Sequence, residues 1–421
     1  MTPDLIMKNT GKRSLYIVSV ALLIVVLIGS AVVGYKWLHH EKRQNNDIEA
    51  LQNLSGAWMT KEADPKPEIL ALREDLLKEL DGMIISGGEL NAYQKLACGE
   101  NIRLLVVGDS IGAMPWTNDV ATWIEKNYQV SCTIKNISLG SNTSYSGFVS
   151  EKLLDDGVAY DLVIVCYGQN DVPQGFAADY EALIREVLAK NGFPSVIAVL
   201  ESSQREYSEK MQAIMQIAGH YHLQLADTIE AFENSGYSYE ALSADGVHPN
   251  GIGQDVYAAT VEEVIRLNTA EEFERKTALI RDALQKGVAF GSHAYCPVRE
   301  LPDPLDENGV APYDSFRYIP AEEFRRISDT EWEIRFDHVQ KGILGISRSR
   351  CPGENLFEIY RNDELYYSEE DYLSIGFNLM KISRVSEASD AFQGDLRICF
   401  LQKEHADSFF GIIFTDYEEE D

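Results

Sequence analysis

Positive charge is what this 421-residue sequence has least of. Its 37 lysines and arginines stand against 67 aspartates and glutamates, a formal net charge of -30. A field of that sign repels phosphate backbones and argues against nucleic acid as a partner. Cysteine is also scarce: Cys98, Cys132, Cys166, Cys296, Cys351 and Cys399 form no CxxC pair, which excludes metal-knuckle and thioredoxin-like chemistry. Cys132, Cys166 and Cys399 fall in apolar, strand-like runs, where small buried thiols are expected. With no cysteine before Cys98, an N-terminal lipid anchor on cysteine is not expected. Histidines number 8, and neither His220 nor His222 has cysteine or acidic partners at ligand spacing, so no metal or other cofactor is expected. "DPLDENG" at 303–309 lacks the downstream glutamate of a calcium loop and reads as a plain loop.

From Ser14 to Tyr35 charge is missing altogether. That run has about the 20 apolar residues needed to cross a bilayer as a helix, and Tyr16, Tyr35 and Trp37 sit near its ends, as interfacial aromatics do. Lys8, Lys12 and Arg13 before it balance Lys36, Lys42 and Arg43 after it, so charge leaves the orientation undecided. The head 1–13 is too short to be the working side. We therefore expect a cytoplasmic head over 1–13, an uncleaved single-pass signal anchor over 14–38 in the cell membrane, a polar stalk over 39–66, and the rest outside the cell.

What remains is long enough for two cores. Ile69, Leu72, Leu76 and Leu80 lie on one helical face. From Ile102 onward, apolar runs at 102–107, 161–166 and 194–200, with weaker ones near 130–138 and 222–226, alternate with helical patterns. Phe176, Tyr180, Leu183, Ile184, Val187 and Leu188 make one such pattern, and Tyr207, Met211, Ile214, Met215 and Ala218 another. This texture predicts a parallel sheet covered by helices on both faces, with the functional site beyond the carboxyl ends of its strands. After Gly287 the period changes to two: Trp332, Ile334, Phe336; Ile375, Phe377, Leu379; Leu396, Ile398, Phe400; Phe410, Ile412, Phe414. "LFEIYRNDELYYS" reads as a hairpin around Asn362-Asp363. A second, all-β sandwich domain is expected over 288–421, joined through a helical connector at 271–287 to the α/β domain at 67–270.

The strand exits carry the candidate chemistry. Ser110 ends the first run in "VVGDSIG"; Gly140 follows the second in "NISLGSNTS", with Gly147 the next glycine; "GQND" brings Asn170 after the third; "DGVHPN" brings Asp245 and His248 after the last. Serine hydrolysis needs a nucleophile, a base, an acid that orients the base, and oxyanion donors. In order and placement these four blocks resemble the SGNH (GDSL) hydrolase family over residues 100–268. The resemblance implies a three-layer α/β/α, flavodoxin-like domain that uses no metal. It makes Ser110 the nucleophile, His248 the base and Asp245 the orienting acid. The backbone N–H groups of Ser110 and Gly140 and the amide of Asn170 become the oxyanion donors, with Gly108, Asp109, Gly168 and Asp171 in support.

Family members cleave lipids, thioesters and acetylated sugars, and some transfer acetyl groups. Extracellular tethering, an appended sandwich and no apolar segment suited to an acyl-chain tunnel favour an O-acetyl esterase acting on polysaccharide. A polysaccharide O-acetyltransferase with a membrane donor partner and a silent surface glycan-binding protein are the alternatives. Tyr366, Tyr367, Phe409 and Phe410 are candidates for a sugar-stacking face, though each also suits a core.

Overall fold

The computed structural model describes residues 90–286, 300–351, 356–369, 379–387 and 390–417. The expected head, anchor, stalk and Ile69–Leu80 helix, together with Cys296, Ile375 and Phe377, lie outside the described residues. Among the described residues, no helix is long and apolar enough to cross a membrane.

Five short strands form a parallel sheet: β1 (Ile102–Gly108), β2 (Cys132–Asn136), β3 (Leu162–Cys166), β4 (Ser195–Leu200) and β5 (Gln224–Asp227), in the order β2-β1-β3-β4-β5. β1 and β3 are buried almost end to end because helices cover both faces. The helices are α1 (Ala92–Cys98), α2 (Trp116–Tyr128), α3 (Ser144–Leu153), α4 (Phe176–Lys190), α5 (Glu209–His220), α6 (Thr228–Asn234), α7 (Tyr239–Leu242) and α8 (Gly251–Lys286). In α5 the predicted face shifts. Ile217 is buried in place of Met215, which is 42% exposed, and Tyr207 precedes the helix and is equally exposed. The expected connector is continuous with α8, whose 36 residues run from the site into residues 271–286. Helix α3 has no readable stripe in the sequence, because Ser144 to Val149 are all buried.

The remaining strands build a sandwich. One sheet has the order β11-β10-β13-β8-β7 and the other β12-β9-β14-β6. These are β6 (Phe316–Pro320), β7 (Arg325–Arg326), β8 (Glu331–Lys341), β9 (Leu344–Arg350), β10 (Phe357–Arg361), β11 (Glu364–Glu369), β12 (Leu379–Arg384), β13 (Ala391–Phe400) and β14 (Phe409–Thr415). The hairpin turns on Asn362 and Asp363, both at positive φ (50° and 65°), the tight turn whose twist matches paired strands.

The four-stranded sheet is covered on both sides, which corrects the expected alternation in the last strand. Ile412, Ile413 and Phe414 are buried in succession, and a register shift between Phe409 and Gly411 turns Phe409 inward, leaving Phe410 41% exposed. One face meets the other sheet through Phe336, Phe357, Phe392 and Phe414. The other joins the α/β core, where Ile343, Ile382, Ile413 and Tyr313 share one cluster with Tyr145, Phe148 and Tyr180. Phe148 meets Tyr313 edge-on at 5.0 Å. The Tyr145 ring lies against Gly345 so closely that a Cβ there would sit 2.3 Å from its hydroxyl.

An ion pair crosses the same boundary: Arg384 of β12 donates to Asp179 of α4 at 2.9 Å, and the Tyr313 hydroxyl donates to the same oxygen. Burial pushes the Asp179 carboxyl up to about 6 even beside the guanidinium. Replacing Arg384 by leucine leaves that carboxyl buried without its cation. We expect a loss of about 3 kcal/mol in urea unfolding, and a change under 1 kcal/mol would show that the pair does not hold the boundary.

Candidate active site

Ser110 is held by a turn that tolerates no side chains beside it. A Cβ on Gly108 would lie 2.8 Å from the Cys166 carbonyl oxygen of β3, and one on Gly112 3.0 Å from the Gly108 Cα. Two backbone segments can approach this closely only where glycine stands. Asp109, fully buried, shapes the turn: its Oδ1 accepts from the Ile111 N–H at 2.8 Å, and its N–H donates to the Cys166 carbonyl at 3.0 Å. Ser110 is thereby presented at the carboxyl end of β1.

His248 and Asp245 arrive from the loop before α8. Asn250 builds that loop: its N–H donates to Leu242 O at 2.7 Å, and its Oδ1 accepts from the Ile252 and Gly253 N–H groups at the start of α8. Gly246 takes φ 81°, steadied by the Tyr239 hydroxyl on its carbonyl, while Arg205 lies 4.2 Å from the Tyr239 ring centre. Asp245 Oδ1 accepts from the N–H groups of Val247 (2.9 Å) and His248 (2.7 Å). Its Oδ2 lies 2.7 Å from His248 Nδ1, and His248 Nε2 lies 2.8 Å from Ser110 Oγ.

This chain is open to solvent, with the side chains of His248 and Asp245 exposed by 42% and 57%. The imidazole, with the fixed backbone donors, holds the Asp245 carboxyl well below the usual carboxylate range. It therefore stays charged without burial and keeps the ring oriented.

Gly140 lies beside the serine: a Cβ on it would be 3.7 Å from Ser110 Cβ and 3.4 Å from a methyl of Leu379 in β12. Gly147 is elsewhere, inside α3 against the Tyr167 ring. Asn170 is close by, but its amide nitrogen already donates to Asp109 Oδ2 (3.1 Å) and to Asn142 O (3.0 Å). Both its protons have partners inside the fold, so service to an oxyanion would share one of them. Asp171 caps the start of α3, accepting from Ser144 N–H (2.9 Å) and Oγ (2.7 Å). Lys210 Nζ donates to the carbonyls of Gly168 and Asp171. Sequence reasoning missed Asn142, Lys210 and Glu201. All three are buried polar residues behind the loops, and none of them falls in a recognisable spacing.

Beneath the serine lies a buried acidic group. Glu201 accepts from the Cys166 thiol at 3.4 Å, and burial pushes its carboxyl up to about 7. Burial and the neighbouring Glu201 together push Asp109 well above the usual range. Two carboxyls so placed oppose each other's ionisation.

Residues 106–256 match the GDSL-like Lipase/Acylhydrolase family. No curated protein sequence matches the chain. Among solved structures, a two-domain esterase (CEX) active on acetylated mannans aligns over 77% of this chain and 94% of its own, at 15% identity and TM-score 0.55. Co-crystallised with mannopentaose, such an esterase aligns over 78% and 94%, at 15% identity and TM-score 0.54. An acetylxylan esterase from Geobacillus stearothermophilus aligns over 39% of this chain and 94% of its own, at 19% identity and TM-score 0.34. At 15% identity the likeness to the two-domain structures is one of fold, a parallel α/β domain followed by a β domain.

A carboxyl whose folded-state pKa is raised stabilises the fold below its unfolded value, near 4.5 for glutamate, and loses that contribution as pH rises through about 7. Glu201→Gln removes the titration. Urea unfolding at pH 5 and pH 8 should show the variant gaining on the native protein toward pH 8, by up to about 1.4 kcal/mol per pH unit. An equal difference at both pH values would mean that Glu201 does not titrate in this window.

Proposed function

We propose, on the premise that residues 106–256 are a GDSL-like acylhydrolase domain, that this serine hydrolase removes O-acetyl groups from polysaccharide outside the cell, tethered to the membrane through residues 14–38. The observation that carries the proposal is the unbroken series of short contacts from Asp245 through His248 to Ser110.

On this reading Ser110 Oγ attacks the acetyl carbonyl carbon while His248 Nε2 takes its proton, and Asp245 holds the Nδ1–H and balances the imidazolium. The N–H groups of Ser110 and Gly140 and the Asn170 amide stabilise the oxyanion. Collapse of the tetrahedral intermediate expels the sugar hydroxyl, which leaves with the proton from His248. Water, deprotonated by the same imidazole, then attacks the acetyl-serine and releases acetate.

Three features support an acetylated glycan as the substrate. The exposed His248 and Asp245 sit in a site open to a polymer. The net charge of -30 suits a neutral chain better than an anionic one. The two-domain fold is shared with an esterase active on acetylated mannans.

The full-length protein in detergent micelles is the material for the test. Acetate release from acetylated mannan and xylan, and cleavage of p-nitrophenyl esters of increasing chain length, should favour acetyl over longer acyl groups. Ser110→Ala should lower both by at least about three orders of magnitude. Preference for long acyl chains, or activity retained without Ser110, would overturn the proposal. Acetyl transfer to a glycan acceptor without hydrolysis would make the protein a transferase.

A further inference from the structure

The free edge of β12 ends against the loop that carries Gly140. β12 pairs with β9 on one side only. Among the described residues no strand pairs with its other side, and a strand edge left in that state presents unpaired N–H and C=O groups. Here side chains of the hydrolase domain take them in succession. The Asn142 carboxamide bridges two, donating from Nδ2 to Met380 O at 2.9 Å and accepting at Oδ1 from the Ile382 N–H at 2.9 Å. Ser146 Oγ donates to Ile382 O at 2.7 Å. From the strand itself, Lys381 Nζ reaches back to the Ser141 carbonyl.

Asn142 is fully buried and binds the active-site loops as well as the strand. Its Nδ2 also donates to Gly140 O at 2.8 Å, while its own carbonyl accepts from Asn170 Nδ2 at 3.0 Å. One residue thus connects β12 with the glycine beside Ser110 and with the amide assigned to the oxyanion. Replacing the carboxamide by a methyl group would strand Met380 O and Ile382 N–H in a dry interface and release Gly140 O.

We infer that the β domain is a working part of the acyl-transfer site, with Asn142 a positioning residue through which the edge of β12 sets the oxyanion donors Gly140 and Asn170. The inference rests on the esterase reading above. It predicts that loosening this contact damages turnover more than substrate binding, because the donors act on charge that develops only in the transition state.

Full-length Asn142→Ala, Lys381→Met, Asn170→Ala, the Asn142→Ala/Asn170→Ala double variant and Ser110→Ala are compared on p-nitrophenyl acetate, with circular dichroism and urea unfolding for each. For Asn142→Ala, kcat should fall about 10- to 100-fold, the scale of a loosened catalytic geometry, with KM changed less than threefold. Lys381→Met should lower kcat severalfold at nearly native stability. In the Asn170→Ala background, Asn142→Ala should cost clearly less than it does alone, since one of the groups it aims is gone. Activity that survives Ser110→Ala would sink the esterase reading itself. Activity that dies with Ser110→Ala but keeps its kcat within twofold in folded Asn142→Ala would overturn the inference alone. Should Asn142→Ala not fold, Lys381→Met decides, and an unchanged kcat there would overturn it.

Discussion

Everything in this molecule follows from β1 lying between β2 and β3 in a parallel sheet. Parallel pairing sends all the strand ends to one edge, and it leaves the first strand flanked on both sides by backbone. The turn after it therefore has to pass beneath Cys166 of β3 without a side chain at Gly108 or Gly112. The serine is fixed by lack of room together with the hydrogen bonds of Asp109. His248 and Asp245 need only a capped helix and a glycine turn to meet it, because α8 starts beside the same edge.

The carboxyls around the serine are handled in two opposite ways. Asp245 is more than half exposed, yet it stays ionised because two backbone N–H groups and an imidazole point at it. Asp109 and Glu201 are fully buried beside each other, and burial pushes both carboxyls above the usual range. The first arrangement keeps a charge where the imidazole must be oriented. The second disfavours charge in the layer under Ser110, where Asp109 also accepts from the Asn170 amide. Lys210 lies over this layer and spends its donors on the carbonyls of Gly168 and Asp171.

Much of this was legible in the sequence, for reasons that can be named. Strands buried on both faces read as continuous apolar runs, and turns announce themselves through Gly108, Gly246 and Asn362-Asp363, so strand exits and the residues on them can be found. Ser110, Gly140, Asn170, Asp245 and His248 were all visible as residues at such exits, and the structure gathers them. The boundary between the domains was not visible. Asn142, Ser146, Asp179 and Arg384 are polar residues whose meaning comes from partners more than 200 residues away, and no period of two or 3.6 encodes that. The strands facing the hydrolase domain misled for the same reason. β14 is covered on two faces, so its alternation dissolves, and α3 is buried all round, so it shows no stripe.

The hydrogen bond from Asn142 to Met380 spans 238 residues of chain. A ribosome adding about 5–20 residues per second takes roughly 12–48 s to cover that distance. During that interval the loop beside Ser110 has been made but its carboxamide has no strand to hold, while Asp245 and His248 are added before its midpoint. The order of synthesis thus separates the making of Ser110 and His248 from the completion of their surroundings. From His248 to Met380 the same rate leaves about 7–26 s in which a nascent chain carries both the serine and the base before the last wall of the site exists.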